Sequence, residues 1–292
     1  MRIVKLTDET KNNILEDLLK RSPTNYGDFQ DKVDAIIKNV RDNGDKAVFD
    51  YTAQFDKAEI NAENILVTEE EIKEAYEEVD DELIKVIRKA IKNIRDFHEK
   101  QIQKSWFETR EDGVMLGQKV TPMETCGVYV PGGKAVYPSS VLMNIVPAHV
   151  AGVKNIIMTT PPGKDGKVTA NTLVAAKEAG ATKVYKVGGA QAIAAMAFGT
   201  ESIPKVDKIV GPGNIFVALA KKAVYGNVSI DSIAGPSEIL VLADETANPR
   251  YVAADLLSQA EHDEMASAIL VTTSEELAHK VSDEIDGFLN QL

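Results

Sequence analysis

Apolar residues in the front part of the chain recur at the spacing of an α-helix face. Val33, Ile36, Ile37 and Val40 form one such stripe, and the pattern stops at Gly44. Glycine adopts the left-handed conformation that closes many helices. We therefore predict an amphipathic helix that ends at this glycine.

Two further helices are predicted between residues 68 and 98. Thr68 and Glu71 have the spacing of a capping box, and an apolar stripe from Ile72 to Val79 follows them. A longer stripe then runs from Leu83 to Phe97. These charged, amphipathic segments are typical of exposed scaffold helices.

After Gly127, short apolar runs alternate with alanine-rich helical segments, and glycine or proline marks each junction. The predicted strands are Val128–Val130, Asn155–Thr159, Val184–Val187, Lys208–Val210 and Val228–Asp231. The predicted helices between them are Ser140–Ala151, Ala170–Ala179, Ala190–Phe198 and Ile215–Val224. Strict alternation implies right-handed crossovers and a parallel sheet, so this part is interpreted as a nucleotide-fold lobe.

The last part of the chain continues the same alternation. Its predicted strands are Glu238–Leu242 and Ala268–Thr272, and its predicted helices are Arg250–His262 and Glu275–Leu289. The predicted fold is therefore α/β, with two Rossmann-like lobes of mostly parallel sheet plus N-terminal helices. We place an N-terminal helical segment at 1–25, a discontinuous first lobe at 26–126 plus 236–292, and the second lobe at 127–235.

Composition excludes several classes of protein. The 292 residues are 44% hydrophobic and 27% charged, which is ordinary for a globular chain. The 33 Lys and Arg against 45 Asp and Glu give a net charge of −12, which disfavours nucleic acid as a partner. The uncharged run from Ala135 to Val153 contains prolines and polar residues, and the N-terminus is charged throughout, so we predict neither a membrane span nor a secretory signal. The single cysteine, Cys126, fits a cytoplasmic protein without an internal disulfide.

Four glycine-containing loops follow predicted strands, where a parallel sheet binds its ligand. They are Tyr129–Gly133, Gly188–Gln191, Gly211–Asn214 and Gly235–Glu238. Four such loops at equivalent ends of one sheet indicate a nucleotide or dinucleotide site. The alternative interpretation is that their glycines only form tight turns.

The glycine fingerprint of dinucleotide-binding proteins is incomplete. Gly211 and Gly213 supply its first two glycines, but Phe216 stands in place of the third. Asp231 follows at about the place of a ribose-binding acid. The amides of Asn214 and Gln191, which both donate and accept hydrogen bonds, are better suited to ribose hydroxyls or a carboxamide.

Gln259 and His262 are three residues apart near the end of a predicted helix, so their side chains share one face. An amide oxygen and an imidazole nitrogen are two possible metal ligands, although two ligands do not complete a site and a polar helix end is the alternative. Surface or packing roles are predicted for His98, His149 and His279.

Cys126 precedes the first glycine loop and raises the possibility of a thiol nucleophile, as in enzymes that oxidise aldehydes. Such a thiol needs a nearby base or cation that holds it as thiolate. The neighbouring carboxylate of Glu124 acts against that role.

Five segments, taken in order from Cys126 to Asp263, resemble the histidinol dehydrogenase family. They read Cys-Gly-Val-Tyr-Val-Pro-Gly-Gly, Val-Gly-Gly-Ala-Gln-Ala-Ile-Ala, Lys-Ile-Val-Gly-Pro-Gly-Asn, Ile-Ala-Gly-Pro-Ser-Glu and Ser-Gln-Ala-Glu-His-Asp. Weaker similarity covers 49–56 and 93–101. The resemblance implies a zinc-dependent homodimer that oxidises L-histidinol to L-histidine through histidinaldehyde, reducing two NAD molecules in the last step of histidine biosynthesis.

The resemblance also implies roles for six residues. Tyr129, Gln191 and Asn214 match NAD contacts, Ser237 matches a substrate contact, and Gln259 and His262 match zinc ligands that also contact the substrate.

Members of the family continue past the equivalent of Leu292. That segment holds their catalytic Glu-His pair, the remaining Asp and His zinc ligands and an arm that reaches the partner subunit. We therefore expect the chain as given to lack turnover and to bind zinc weakly. An aldehyde dehydrogenase-like enzyme that uses Cys126 and a non-catalytic nucleotide-binding module remain as alternatives.

Overall fold

A computed structural model describes residues 1–20, 27–132, 138–233, 238–261 and 266–291. Contacts divide the chain into two compact units, residues 27–234 and residues 1–26 with 235–292. The lobe boundaries, which assign 26–126 to the same lobe as 236–292, stay a prediction.

The structure is an alternation of helices and strands. The helices are α1 (Asp8–Lys20), α2 (Gly27–Phe55), α3 (Glu69–Glu78), α4 (Asp81–His98), α5 (Pro138–Val150), α6 (Ala170–Ala179), α7 (Gly189–Phe198), α8 (Ile215–Val224), α9 (Pro249–Ala260) and α10 (Glu275–Leu289). The strands are β1 (Trp106–Thr109), β2 (Met115–Gln118), β3 (Thr125–Tyr129), β4 (Asn155–Thr160), β5 (Lys183–Lys186), β6 (Lys208–Val210), β7 (Ser229–Ile230), β8 (Glu238–Ala243) and β9 (Ser267–Thr272). The strands and helices predicted after Gly127 are confirmed to within three residues at their ends, and the α/β fold class with them. His262, the last residue of the predicted helix Arg250–His262, lies outside the described residues.

The larger unit is built on a five-stranded parallel sheet in the order β5-β4-β3-β6-β7. The chain proceeds outward from β3 to β5 and then returns to the other side of β3 for β6 and β7. Strand order therefore reverses between β3 and β6, and such a switch point opens a crevice at the carboxyl ends of the strands.

The two faces of this sheet carry different helices. On one face, Cys126, Val128 and Val130 pack into an apolar core with residues of α3, α4, α5 and α6. Because side chains alternate along a strand, Gly127 and Tyr129 belong to the other face, where Gly127 lies against Met196 of α7. Helices α2 and α8 contact α7 on that side.

The prediction that the first amphipathic helix ends at Gly44 is confirmed, and the range of α2 joins that helix to a second one across a kink at this glycine. Gly44 does leave the helical conformation, with φ 55° and ψ −135°, but α2 resumes at once and continues to Phe55. Glu201 compensates for the break, since its Oε2 accepts a hydrogen bond from the Asp45 N–H at 2.8 Å. The kinked second half of α2 ends beside the crevice of the sheet.

The capping box at the start of α3 is confirmed. Thr68 Oγ1 accepts from Glu71 N–H at 3.2 Å, and Glu71 Oε2 accepts from Thr68 N–H at 2.9 Å. Further along, the antiparallel pair β1 and β2 was not predicted from the sequence. All eight of its residues are exposed, so it shows no apolar-polar alternation that would identify a half-buried strand.

The smaller unit contains a parallel pair of strands, β8 and β9, with α9 and α10 packed on it. Ile239, Val241 and Ala243 pack against a core formed by residues of these helices. Asn248 caps α9 through a hydrogen bond from Arg250 N–H to Oδ1 at 3.0 Å, and Pro249 occupies the first turn. Gln259 therefore lies in the last turn of α9.

Among the described helices, none combines the length and apolar character needed to cross a lipid bilayer.

Candidate ligand cleft at the switch point of the sheet

A cleft of about 1070 Å³ opens at the carboxyl edge of the sheet, within the larger unit. Its wall includes Tyr129 at the end of β3, Gln191 in the first turn of α7 and Asn214 just before α8. The structure thus brings together all three residues predicted to contact a coenzyme. The volume of the cleft is slightly above the usual range of ~300–1,000 Å³ for ligand pockets, which suits a large ligand such as a dinucleotide.

Tyr129 connects β3 to the start of α7. Its hydroxyl oxygen accepts a hydrogen bond from Gly189 N–H at 3.1 Å, which satisfies one of the free donors at the helix N-terminus. Burial raises the pKa of Tyr129 to about 12, so the phenol stays neutral. The phenolic hydrogen can then be donated to a ligand in the cleft.

Gln191 is 1% exposed, yet its side-chain Oε1 has no hydrogen-bond partner among the described residues. Buried polar atoms are nearly always paired, so an orphaned amide oxygen in a cleft wall indicates a missing donor. A ligand hydroxyl or carboxamide would supply that donor.

Asn214 is the N-cap of α8. Its Oδ1 accepts hydrogen bonds from Phe216 N–H at 3.1 Å and Val217 N–H at 3.2 Å, which fixes the orientation of the amide. Recognition of a ligand by this side chain therefore depends on its Nδ2 donor.

Some of the glycines in the loops serve packing. A Cβ added to Gly188 would lie 2.6 Å from Pro161 Cβ, and one added to Gly132 would lie 2.4 Å from Pro161 Cγ. The loops after three neighbouring strands therefore converge on Pro161. At these two positions the tight-turn alternative accounts for the glycine without a ligand.

Asp231 belongs to the support of the glycine loop after β6. Its carboxylate accepts a hydrogen bond from Gly211 N–H at 2.8 Å and forms an ion pair with Lys221, whose Nζ donates to Gly211 O at 2.9 Å. Lys221 is only 2% exposed. We call these three residues the Gly211 clamp. Because both oxygens of Asp231 are occupied, the structure does not favour the ribose-binding role that the incomplete fingerprint suggested.

Asp56 lines the same cleft, and sequence analysis did not identify it as a site residue. It follows the last turn of α2, and its Oδ2 is buried without a hydrogen-bond partner among the described residues. Burial raises its pKa from 3.8 to about 6. The only sequence signal was the weaker family similarity over 49–56, which carries no recognisable motif.

Replacement of Asp56 by Asn is expected to stabilise the chain at neutral pH. A folded-state pKa above the unfolded value means that the ionised carboxylate destabilises the fold above about pH 6, and that this cost disappears as the pH falls toward 4. The shift corresponds to at most about 3 kcal/mol, and partial solvent screening reduces the expected gain to about 1–2 kcal/mol.

Urea unfolding at about pH 8 and about pH 4 measures this gain. Glu59→Gln removes an exposed carboxylate three residues further along the chain and serves as the control, with an expected change within about 0.5 kcal/mol. A loss of stability in Asp56→Asn at about pH 8 would show that the carboxylate has a structural partner.

Cys126 does not face the cleft. It is 4% exposed, it lies near the start of β3, and it packs into the apolar core on the opposite face of the sheet from Tyr129. Burial raises the pKa of its thiol to about 11, with a smaller opposing effect of Lys208. A thiol so placed is a packing residue and lacks the thiolate character of a nucleophile.

Cys126 in the folded chain is therefore expected to resist thiol-specific alkylating reagents. Its reaction at about pH 8 is expected to be at least about 100-fold slower than in the urea-unfolded chain, because the folded thiol is both buried and protonated. Mass spectrometry of timed aliquots measures the two rates. Comparable rates in the folded and unfolded chains would contradict the buried position.

The predicted metal and substrate residues are only partly described. Ser237 and His262 lie outside the described residues, and Gln259 is half-buried on α9 with an Nε2 atom that has no described hydrogen-bond partner. The described part of the chain holds no group of three or more His, Cys, Asp or Glu side chains arranged for a metal ion. The roles of Ser237, Gln259 and His262 therefore stay predictions.

Each of the other three histidines lies on a helix. His98 Nδ1 is 2.7 Å from Gln101 Oε1, His279 lies beside Glu275 on α10, and His149 is exposed on α5. These positions agree with surface roles.

The fold and the cleft together define an α/β protein with a cleft at the switch point of a parallel sheet, the place where proteins of this architecture bind their ligands. Comparison with known proteins is more specific. A sequence profile of histidinol dehydrogenase matches residues 19–292, so the chain belongs to the histidinol dehydrogenase family.

Individual relatives agree. The chain is 56% identical over 293 residues to the histidinol dehydrogenase of Halalkalibacterium halodurans, covering 100% of this chain and 67% of the relative. It is 60% identical over 275 residues to that of Bacillus subtilis, covering 94% and 64%. A crystal structure of histidinol dehydrogenase from Elizabethkingia anophelis superposes with a TM-score of 0.83 at 40% identity, covering 100% of this chain and 63% of that one. The chain thus spans about two thirds of the length of these relatives.

Proposed function

We propose that the larger unit is the coenzyme-binding part of an enzyme that oxidises L-histidinol to L-histidine through histidinaldehyde, reducing two NAD molecules. One observation carries the proposal. Tyr129, Gln191 and Asn214, which occur in three separate motifs of the family, line a single cleft at the switch point of the sheet. Membership of the histidinol dehydrogenase family supplies the substrate.

The residues of the cleft fit a dinucleotide. Gln191 offers an unpaired buried acceptor, Asn214 offers an amide donor, and Tyr129 offers a neutral hydroxyl. The N-termini of α7 and α8 both border the cleft, where their backbone N–H groups favour phosphate. NAD, when bound, would supply the hydride acceptor, and Tyr129, Gln191 and Asn214 would hold and orient it in the cleft.

The described part of the proposed metal site is compatible with zinc. The Gln259 amide has a buried nitrogen without a described partner, and rotation of the amide by a half turn would bring its oxygen there as a ligand. Gln259 and His262 would hold the ion, which would anchor the amino-alcohol substrate through nitrogen. Gln259, His262 and Ser237 would also contact the substrate.

No residue of this chain is assigned as the catalytic acid or base. By resemblance, that role belongs to a Glu-His pair beyond the equivalent of Leu292, in a homodimer. We propose that turnover requires the full length of the relatives and that the protein acts in the cytoplasm. Its partners are small molecules, with neither nucleic acid nor membrane among them.

Two versions of the protein test the proposal. One is the 292-residue chain, and the other is the same chain extended to the length of its relatives by its own continuing reading frame. We expect the extended protein with zinc to form two NADH per histidinol, as measured by absorbance, and the shorter chain to form none. A chelator is expected to stop the reaction.

The same assay separates the alternatives. Oxidation of simple aldehydes that is insensitive to the chelator but is abolished by thiol alkylation would indicate an aldehyde dehydrogenase-like enzyme. Binding of NAD without turnover of histidinol by the extended protein would indicate a non-catalytic nucleotide-binding module. Either result would overturn the proposed activity.

A further inference from the structure

Asp56 places an unpaired carboxylate in the wall of the cleft. Its own N–H donates to Thr52 O at 2.9 Å, and Lys57 after it has φ +58°, so α2 ends and the chain turns sharply at this point. The buried Oδ2 has no described partner, and Asp56 is near enough to Tyr129 to raise the pKa of that phenol. The carboxylate therefore belongs to the same part of the cleft as Tyr129.

The chemistry of a carboxylate restricts what it can contact. An ionised carboxylate only accepts hydrogen bonds, and it repels a pyrophosphate. A dinucleotide offers it four kinds of donor, namely the hydroxyls of the two riboses, the carboxamide and the adenine amino group. The phosphates have suitable partners elsewhere in the cleft, at the N-termini of α7 and α8.

The charges in the cleft affect whether it binds a ribose or a phosphorylated ribose more tightly. Lys164 and Lys167 line the same cleft and would attract an additional phosphate, although the Nζ of Lys167 already pairs with Glu74 at 3.3 Å. The carboxylates of Glu78 and Asp165 line the cleft as well. A fixed negative charge at Asp56 would oppose that attraction. The closest chemical alternative to NAD, which is NADP, differs only by a 2′-phosphate on the adenosine ribose.

We propose that Asp56 accepts a hydrogen bond from the adenosine ribose and makes the site selective for NAD over NADP, an inference that rests on the proposed coenzyme cleft. The acid that binds ribose in this protein thus comes from the end of α2. In a protein with the complete glycine fingerprint, it follows the second strand of the fold. Asp231, at the place suggested by the sequence, is committed to the Gly211 clamp.

Calorimetric titration of the 292-residue chain with NAD and with NADP, at fixed ionic strength and about pH 8, tests the inference. Three variants are compared with the unsubstituted chain: Asp56→Asn, Glu59→Gln and Gln191→Leu. The unsubstituted chain is expected to bind NAD at least about tenfold more tightly than NADP. Asp56→Asn is expected to reduce that ratio by about tenfold, chiefly through tighter binding of NADP.

The two remaining variants are controls. Glu59 is an exposed residue of the same segment as Asp56 and does not line the cleft. Glu59→Gln is therefore expected to leave the ratio of NAD to NADP affinity unchanged. Gln191→Leu is expected to weaken both coenzymes about equally, because its amide lies in the shared part of the site.

The outcomes separate the inference from the function on which it rests. An unchanged ratio in Asp56→Asn, or an equal loss of affinity for both coenzymes, would overturn the assignment of Asp56 to the adenosine ribose. An equal change of ratio in Glu59→Gln would show a general effect of net charge and would overturn it too. No binding of NAD by the unsubstituted chain, or undiminished binding by Gln191→Leu, would instead contradict the coenzyme cleft itself.

Discussion

Gly211→Ala is expected to lower the free energy of unfolding by about 3–5 kcal/mol and to abolish coenzyme binding. Gly211 has φ +116°, and an added Cβ would lie 2.0 Å from the backbone oxygen of Tyr129. Because the clash is with a backbone atom, no side-chain rotation can relieve it. The end of β3 and the loop that leads to Asn214 would have to separate, and that movement opens the cleft.

Gly226 provides the matched control for backbone strain. It has φ +100°, but an added Cβ would meet no heavy atom within 4 Å. Gly226→Ala is therefore expected to lower the free energy of unfolding by only about 1–2 kcal/mol and to leave NAD binding intact. Urea unfolding and calorimetric titration of both variants measure the difference. Equal destabilisation by the two substitutions would show that Gly211 is required only for its φ angle.

Lys221→Met is expected to lower the free energy of unfolding by about 2–4 kcal/mol and to weaken NAD binding. The substitution removes the Nζ atom that bonds to Gly211 O, and it leaves the carboxylate of Asp231 without its cation. The expected loss is smaller than for a fully buried pair because the Asp231 side chain is 32% exposed. The glycine loop after β6 loses one side of its clamp, so Asn214 is less well positioned.

The neighbouring lysine and a double variant complete this experiment. Lys222→Met, at an exposed position on the same helix, is expected to change the unfolding free energy by less than about 0.5 kcal/mol. The double variant Lys221→Met with Asp231→Asn is expected to lose less unfolding free energy than the sum of the two single variants. Each single variant leaves one charge of the ion pair without its partner, whereas the double variant leaves none. Strict additivity would contradict the ion pair.

Much of the fold and part of the site follow from the sequence. Strands β3 to β6 are short apolar runs flanked by glycine or proline, and each is followed by a helix of small residues, which leaves few alternatives to a parallel sheet. The carboxyl ends of such strands meet at one edge. For that reason Tyr129, Gln191 and Asn214, separated by up to 85 positions, could be expected to meet in one cleft.

Other features depend on tertiary contacts that no local pattern contains. The second half of α2 begins directly after Gly44, where its Asp45 N–H donates to Glu201, a residue 156 positions after Asp45 in the sequence. The position of Asp56 in the cleft depends in turn on how α2 packs on α7 and α8. For Asp231, the sequence position suggested a ribose contact, but tertiary contacts that the local pattern does not contain disfavour that role. Its carboxylate is bound to Gly211 and Lys221.

Histidinol oxidation by the extended protein tests whether Gln191, and not Cys126, serves the proposed reaction. Initial rates of NADH formation are compared for the unsubstituted protein, Gln191→Leu and Cys126→Ala, each with zinc and saturating histidinol. We expect Gln191→Leu to raise the KM for NAD by about tenfold or more, because it removes a proposed buried partner of the coenzyme, and we expect Cys126→Ala to keep nearly the rate of the unsubstituted protein. Loss of activity in Cys126→Ala, together with an unchanged KM for NAD in Gln191→Leu, would contradict the proposed coenzyme cleft.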